Sequence, residues 1–425
     1  MAATPPAGSL AAPATAPATA PAPAPAPATA PATAAAPAPT AVDAAGDDFA
    51  AQVKLLYRIG ACGTDTPLAD ELPKKAIERH CAAMKRRYAS YKRAWADRAS
   101  TFIAALRPSD LPPVAIYPFG GGDLSSALVV FPDATEITTL SLEAAGDIRG
   151  LAAVERRALG EDLAVIGHDI GRLYQAAHST TKSLMTASHS QVPGTIMFAL
   201  AALTVHGHEP LSLRYFDLEP DGSLRYLTSA ELDERVRIAL AAAETGGARR
   251  ARQKVGKGTV YRVWKLQESV FANVEITYRP VAAPTAAPRI YRHIVANLDD
   301  EHVGADRRAL AHLERKGKVA VMTKAASFLL WYDDFSLVRT YLTDHLAWMI
   351  SDASGIPPAH AAQAGLEQIT YGTFVGAYFI KDPNDVRGDM VKLWAKNQER
   401  PLPFRFGYPD AEDHNHLMIT RRPGT

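Results

Sequence analysis

From Val114 onward the apolar and polar positions change period element by element. VAIYPF is an apolar, strand-like run, GGGD a turn, LSSALVVF a short apolar helix, PDA a break, and EITTLSLE a second β-rich run. α/β proteins use this order to build a ligand crevice at the carboxyl end of a first strand. Upstream, FAAQVKLLYRI suits a short amphipathic helix. Pro73 then opens a long one, KKAIERHCAAMKRRYASYKRAWADRASTFIAAL, in which Ile77, Cys81, Met84, Tyr88, Tyr91, Trp95 and Phe102 recur every three or four residues. Downstream, LAAVERRALGEDLAVIGHDIGRLYQAAHS reads as helix, and VPGTIMFALAALTVHG as a buried helix or a helix running into a strand. LSLRYFDLEPDGSLRYL is a hairpin across Glu219-Pro220-Asp221-Gly222, and GTVYRVWKLQES and ANVEITYRPV read as two more strands. KVAVMTKAASFLLW followed by FSLVRTYLTDHLAWMI continues the strand–helix–strand order, SDASGIPP reads as an exposed turn, and LPFRFGYPD with HLMITRR as a closing edge hairpin.

These elements predict an α/β fold: a Rossmann-like mixed sheet with flanking helices over residues 109–425, preceded by a helical segment, 44–108. Residues 1–43 are almost wholly Ala, Pro and Thr. Alternating proline favours extended polyproline II and offers no apolar face, so a disordered spacer is expected there.

Composition narrows the function classes. The net charge of +1 gives no global bias toward nucleic acid, and no apolar run reaches the roughly 18 residues of a transmembrane helix. The basic face of the long helix (Lys85, Arg86, Lys92, Arg93, Arg98) reads as a solvated face, with a phosphate-rich partner as the alternative. The start Met1 to Pro13 lacks a basic segment and an apolar core, which taken literally places the chain in the cytoplasm. Ala/Pro/Thr arms also tether exported domains, so a periplasmic or envelope location follows if an export signal lies upstream. Cys62 and Cys81, 19 positions apart, are either a loop-to-helix disulfide or two separate buried thiols.

Candidate chemistry centres on the turn. Gly120, Gly121 and Gly122 let the backbone approach a small-molecule ligand above a helix N-terminus. Asp123 is placed either at that ligand or as the helix N-cap. Glu143, 21 residues after Gly122, occupies the position of an acid that grips ribose hydroxyls. A second constellation, Asp333, Asp334, Arg339, Asp344, His345, Asp352 and Ser354, carries groups for general acid–base catalysis. Asp334, His345 and Asp352 are its candidates, with helix caps and turns as the alternative. His168, His178, His189, His206 and His208, and Asp410, Asp413, His414 and His416, are a weak metal signal, since no HExxH or cysteine partner accompanies them. Ser179-x-x-Lys182 has the spacing of serine–lysine enzymes but lacks their KTG element; GxSxG and the Walker A pattern are absent.

The stretch Val114–Glu143 resembles a class I methyltransferase unit, which implies S-adenosylmethionine over Gly120–Gly122 with Glu143 on its ribose. The position ahead of the glycines, where such enzymes carry an acid, holds Tyr117, Pro118 and Phe119. More broadly, YPFGGGDLSSALVVFPDATEITTLSLE, MTKAASFLLWYDDFS, SDASGIPP and LPFRFGY resemble a family of bacterial α/β proteins of a myxobacterial type. That likeness carries no catalytic residue with it. The expectations are therefore an exported or envelope-associated protein with a ligand crevice at Gly120–Asp123, then a methyltransferase-like enzyme, then a metal-dependent hydrolase.

Overall fold

The run at Val114 forms the middle of a ten-stranded mixed sheet. The computed structural model describes residues 46–149, 151, 156–174, 194–245, 270–376, 387–396, 400–407 and 415–424. In chain order the strands are β1 Val114–Pro118, β2 Glu136–Ser141, β3 His208–Leu218, β4 Leu224–Tyr226, β5 Val274–Pro280, β6 Arg289–Val295, β7 Val319–Met322, β8 Leu346–Ser351, β9 Glu367–Gly372 and β10 His416–Arg421. They lie in the order β4-β3-β5-β6-β2-β1-β7-β8-β10-β9. The five strands from β6 to β8 are parallel, and antiparallel strands extend the sheet at both sides.

Parallel strands are covered on both faces, so they read as continuous apolar runs rather than alternating ones. β7 is an example, with all four residues buried. One face presents Ala115, Tyr117, Ile137, Tyr291, Met322 and Ile350. It is covered by α1 (Ala50–Leu56), α2 (Lys74–Tyr91), α3 (Asp97–Ala104), α4 (Leu124–Val130), α5 (Arg156–Leu173), α6 (Gly194–Val205) and part of α7 (Ser229–Thr245). The other face presents Ile116, Leu140, Ile294, Val321 and Met349 to α8 (Asp300–Ala305), α9 (Arg308–Glu314), α10 (Ser336–His345) and α11 (Pro358–Gln363). A helix apolar all round belongs in a core, and α6 is buried at every residue but Thr204. Residues Ala44–Thr425 form one compact unit, and side chains of α1–α3 share the core of the sheet face they cover.

Cys62, in a left-handed turn after α1, is joined to Cys81 of α2 with Cα atoms 5.3 Å apart. The two-thiol alternative is thereby set aside. A π-turn at Lys92–Ala96 separates α2 from α3.

Three local expectations need correction. The SDASG segment is buried, not exposed: Asp352 and Ser354 have no accessible surface; Gly407 lies against the Asp352 and His416 side chains, and Ser354 is held by Asp352 and Ser327. LPFRFG is therefore a loop packed against this segment. β10 pairs with β8 and β9 inside the sheet, not with that loop in an edge hairpin. Asp334 does not cap α10; the Asp300 carboxylate does, accepting the N–H groups of Ser336 at 3.1 Å and Leu337 at 2.9 Å. The expected strand over 258–269 lies outside the described residues.

Candidate functional site

From β1 the chain passes to β2 and β6 on one side and returns to β7 and β8 on the other. The carboxyl ends of β1 and β7 are therefore a topological switch point, where open α/β sheets leave a crevice. Backbone strain gathers there. Phe119, directly after β1, has φ 60°, and Ala325, three residues after β7, has φ 62° and ψ −86°. Side chains with a Cβ avoid these regions, and they persist only where the surroundings enforce them. For Ala325 the enforcing group is Asp352 at the end of β8. Its Oδ2 accepts the Ala325 N–H at 2.9 Å, while Oδ1 accepts the Ser354 N–H at 2.9 Å and the Ser354 hydroxyl. Ser354 in turn shares a 2.6 Å hydrogen bond with Ser327.

Asp123 is the second anchor. Its Oδ1 caps α4 by accepting the Ser126 N–H at 3.2 Å. Its Oδ2 accepts Lys324 Nζ at 2.9 Å and the Tyr117 hydroxyl at 3.2 Å, and Lys324 also reaches Ser126 Oγ at 3.3 Å. Asp123 is 6% exposed and Lys324 26%, so the cation is the member of the pair that reaches solvent. The glycines are buried. A Cβ on Gly120 would stand 2.6 Å from Tyr117 Cγ and 2.8 Å from the Tyr117 carbonyl oxygen, so the turn itself requires that glycine.

Glu143 lies two residues past β2 and is half-buried, and its carboxylate takes no hydrogen bond from a described residue. Its carbonyl accepts His293 Nε2–H at 2.6 Å. Nε2 therefore carries the proton, Nδ1 accepts from Thr139 Oγ1 at 3.2 Å, and the Tyr291 hydroxyl donates to Thr139 at 2.9 Å. Burial pushes the His293 imidazole below its ordinary range, in keeping with this neutral tautomer. Beside Glu143, Leu142 is 64% exposed.

Sequence reasoning missed a serine–histidine contact on the same edge. Ser125 Oγ lies 3.0 Å from the Tyr91 hydroxyl and 3.0 Å from His206 Nε2. Burial first, then His208 and Lys92, push His206 down to about 4. A neutral imidazole on a hydroxyl is the pairing of nucleophilic catalysis, but Ser125 is 1% exposed, so the contact joins α4, α2 and the end of α6. No sequence signal links positions 91, 125 and 206.

The acid–base candidates are not brought together. Asp352 is at the carboxyl end of β8 and His345 just before its start, a strand length of about 20 Å away. His345 stacks on Tyr341, with ring centroids 4.5 Å apart, and Asp334 is exposed. His206 ends on Ser125, whereas His208 opens β3 and packs edge-on against Tyr278 at 5.2 Å. Among the described residues no three His, Cys, Asp or Glu side chains form a metal-binding group. Ser179, Lys182, His178, His189, Asp410, Asp413 and His414 lie outside the described residues. No helix among the described residues is long and apolar enough to cross a membrane.

No protein-family model, curated protein or solved structure matches this chain.

Proposed function

We propose that the protein is an exported or envelope-associated α/β domain that binds a small hydroxyl-bearing molecule at the carboxyl edge of β1, β2 and β7. The observation that carries the ligand reading is the convergence at one switch point of two strained non-glycine residues, the Asp123–Lys324 pair and the Glu143 carboxylate. Glu143 accepts ligand hydroxyls, Lys324 supplies the cationic wall, and Leu142 offers apolar surface. The Cys62–Cys81 bond supports the compartment, since structural disulfides persist where the surroundings are oxidising.

The strand order favours a second reading. With the β3–β5 insertion left out, the strands run 3-2-1-4-5-7-6 and only the seventh is reversed, the order used by class I methyltransferases. S-adenosylmethionine would supply a methyl group, with Glu143 on its ribose and Gly120–Gly122 beneath its amino-acid portion. The fit is partial. The glycine turn is closed on Tyr117, no acid precedes it, and a disulfide is unusual where that cofactor is abundant.

Calorimetric titration of S-adenosylmethionine and S-adenosylhomocysteine into the full chain separates the two. Micromolar binding lost in Glu143→Ala promotes the methyltransferase reading. Thermal-shift screening of nucleosides and sugars tests the first reading, and no stabilisation by any of them refutes it. Thiol labelling of protein taken directly from cells checks the compartment, because reactive Cys62 and Cys81 there contradict export.

A further inference from the structure

The run from Lys74 to Ala104 carries nine Lys and Arg against two acids, a local charge of +7 in a chain whose total is +1. These cations are not scattered. At about 100° per residue, Lys75, Arg79, Arg86 and Arg93 fall within ~40° of one line along α2. Ile77, Met84, Tyr88 and Tyr91 hold the opposite, buried side. On an uninterrupted helix Arg98 would leave that line and Ile103 would leave the core. The π-turn at Lys92–Ala96 inserts one extra residue and sets both back by about 100°. It returns Ala96, Ala99 and Ile103 to the buried side and Arg98 to the cationic row.

The row is exposed at all five cations, and none makes an ion pair with a described residue; Lys85, off the row, pairs with Asp65. Between the cations the outer face carries the small exposed residues Ala82, Ala89 and Ser90, and the acids Glu78 and Asp97 lie exposed to one side of the row. The nearest large aromatic, Trp95, is half-buried and engaged with Tyr91 at 5.5 Å. From Lys75 to Arg98 the row spans about 35 Å. It carries no exposed apolar ridge to insert and no exposed ring on which a nucleic-acid base could stack.

We infer that the outer face of α2–α3 docks electrostatically on an anionic phospholipid surface. A flat sheet of headgroup charge is the partner that a long row of exposed cations on one side of a helix complements, and small intervening residues let the arginines reach it. Contact is peripheral and reversible, and salt weakens it.

Co-sedimentation of the full chain with phosphatidylcholine vesicles, with and without phosphatidylglycerol, tests this. The expected result is binding only to the anionic vesicles, reversed by high salt and reduced at least ~10-fold in the triple variant Arg79→Glu, Arg86→Glu, Arg93→Glu. The milder Arg→Gln triple gives an intermediate loss if the reversal variant misfolds. Reversal of Lys54, Arg307 and Arg315, exposed elsewhere, leaves binding within a few-fold of wild type. Failure of wild type to sediment with anionic vesicles at low salt overturns the proposal. So does equal loss in the control variant, or tighter binding to duplex DNA than to vesicles in the same buffer.

Discussion

The two edges of the sheet use charge differently. Toward the amino end of β2, Glu136, Arg292 and Glu275 form a ladder across β2, β6 and β5, with side chains 18%, 11% and 8% exposed. Lys316 closes the ladder on Glu136, and the Tyr226 hydroxyl donates to Glu275 at 2.8 Å. Burial pushes Glu136 up, but Lys316 and Arg292 outweigh it and hold the carboxyl at about 2. Every charge there is matched and sealed. At the carboxyl edge the Asp123–Lys324 pair is open on its cationic side, the Glu143 carboxylate takes no hydrogen bond from a described residue, and two backbone residues are strained. A matched, buried ladder orders a fold, whereas an open edge with strain is what a binding site needs.

The contrast predicts unequal mutational costs. Arg292→Met leaves Glu136 and Glu275 without their shared cation and should cost about 3–5 kcal/mol in urea unfolding, with ligand affinity little changed per folded molecule. A loss under ~1 kcal/mol would mean that the ladder is not load-sharing. Lys324→Met should cost less, about 1.5–3 kcal/mol, because Asp123 keeps the Ser126 N–H and the Tyr117 hydroxyl. It should abolish binding of whatever ligand thermal-shift screening identifies, and unaltered affinity would move the site away from this edge.

Acid should reach the buried histidines before it reaches the ladder carboxylate. His206 on the carboxyl edge is held at about 4, so the folded chain binds fewer protons than the unfolded chain between there and the ordinary histidine value. Its contribution is complete above about pH 6.5 and lost as pH falls toward 4. Glu136 is depressed, so its contribution is complete above about 4.5 and lost as pH falls toward 2. Urea midpoints measured from pH 7 downward should decline first in the histidine window, and His206→Gln should flatten that limb in part while leaving the limb below about pH 4.5 unchanged. His208, held at about 4 by burial and then by Arg289, and His312 beside the ladder, pushed down to about 3 by burial and then by Lys316, contribute in the same sense and remain in the variant. The smallest effect belongs to Ala325→Gly. Relief of the positive φ offsets the added chain entropy, for a net change within ~1 kcal/mol, while a preorganised site loses affinity. A tighter-binding glycine variant would show that the strain does not serve binding.

How far the chain could be read depended on the range of the interactions. The β1–turn–α4–β2 unit was legible because its periods change within thirty residues, and Asp123 as a cap follows from its place before an apolar helix. The long helix was legible from its three- and four-residue spacing. β6 was not: RIYRHIV carries two arginines and a histidine that look exposed until Arg292 meets Glu136 and Glu275 and His293 meets Thr139. Asp352 looked like a turn residue because its neighbours in sequence are Ser, Ala and Gly. What lies against it is a loop some fifty positions later, brought there by β10 inserting between β8 and β9.

The sequence by itself therefore determined the α/β class, the glycine turn with its capping acid, and the amphipathic face of the long helix, since all three rest on contacts within a few residues or one helical period. Only the tertiary structure decided the strand order, the joining of Cys62 to Cys81, the charge ladder, and which carboxylates lie sealed or open. Each of those depends on which distant segments pair, and hydrogen bonds between strands leave no imprint on the spacing of residues within them.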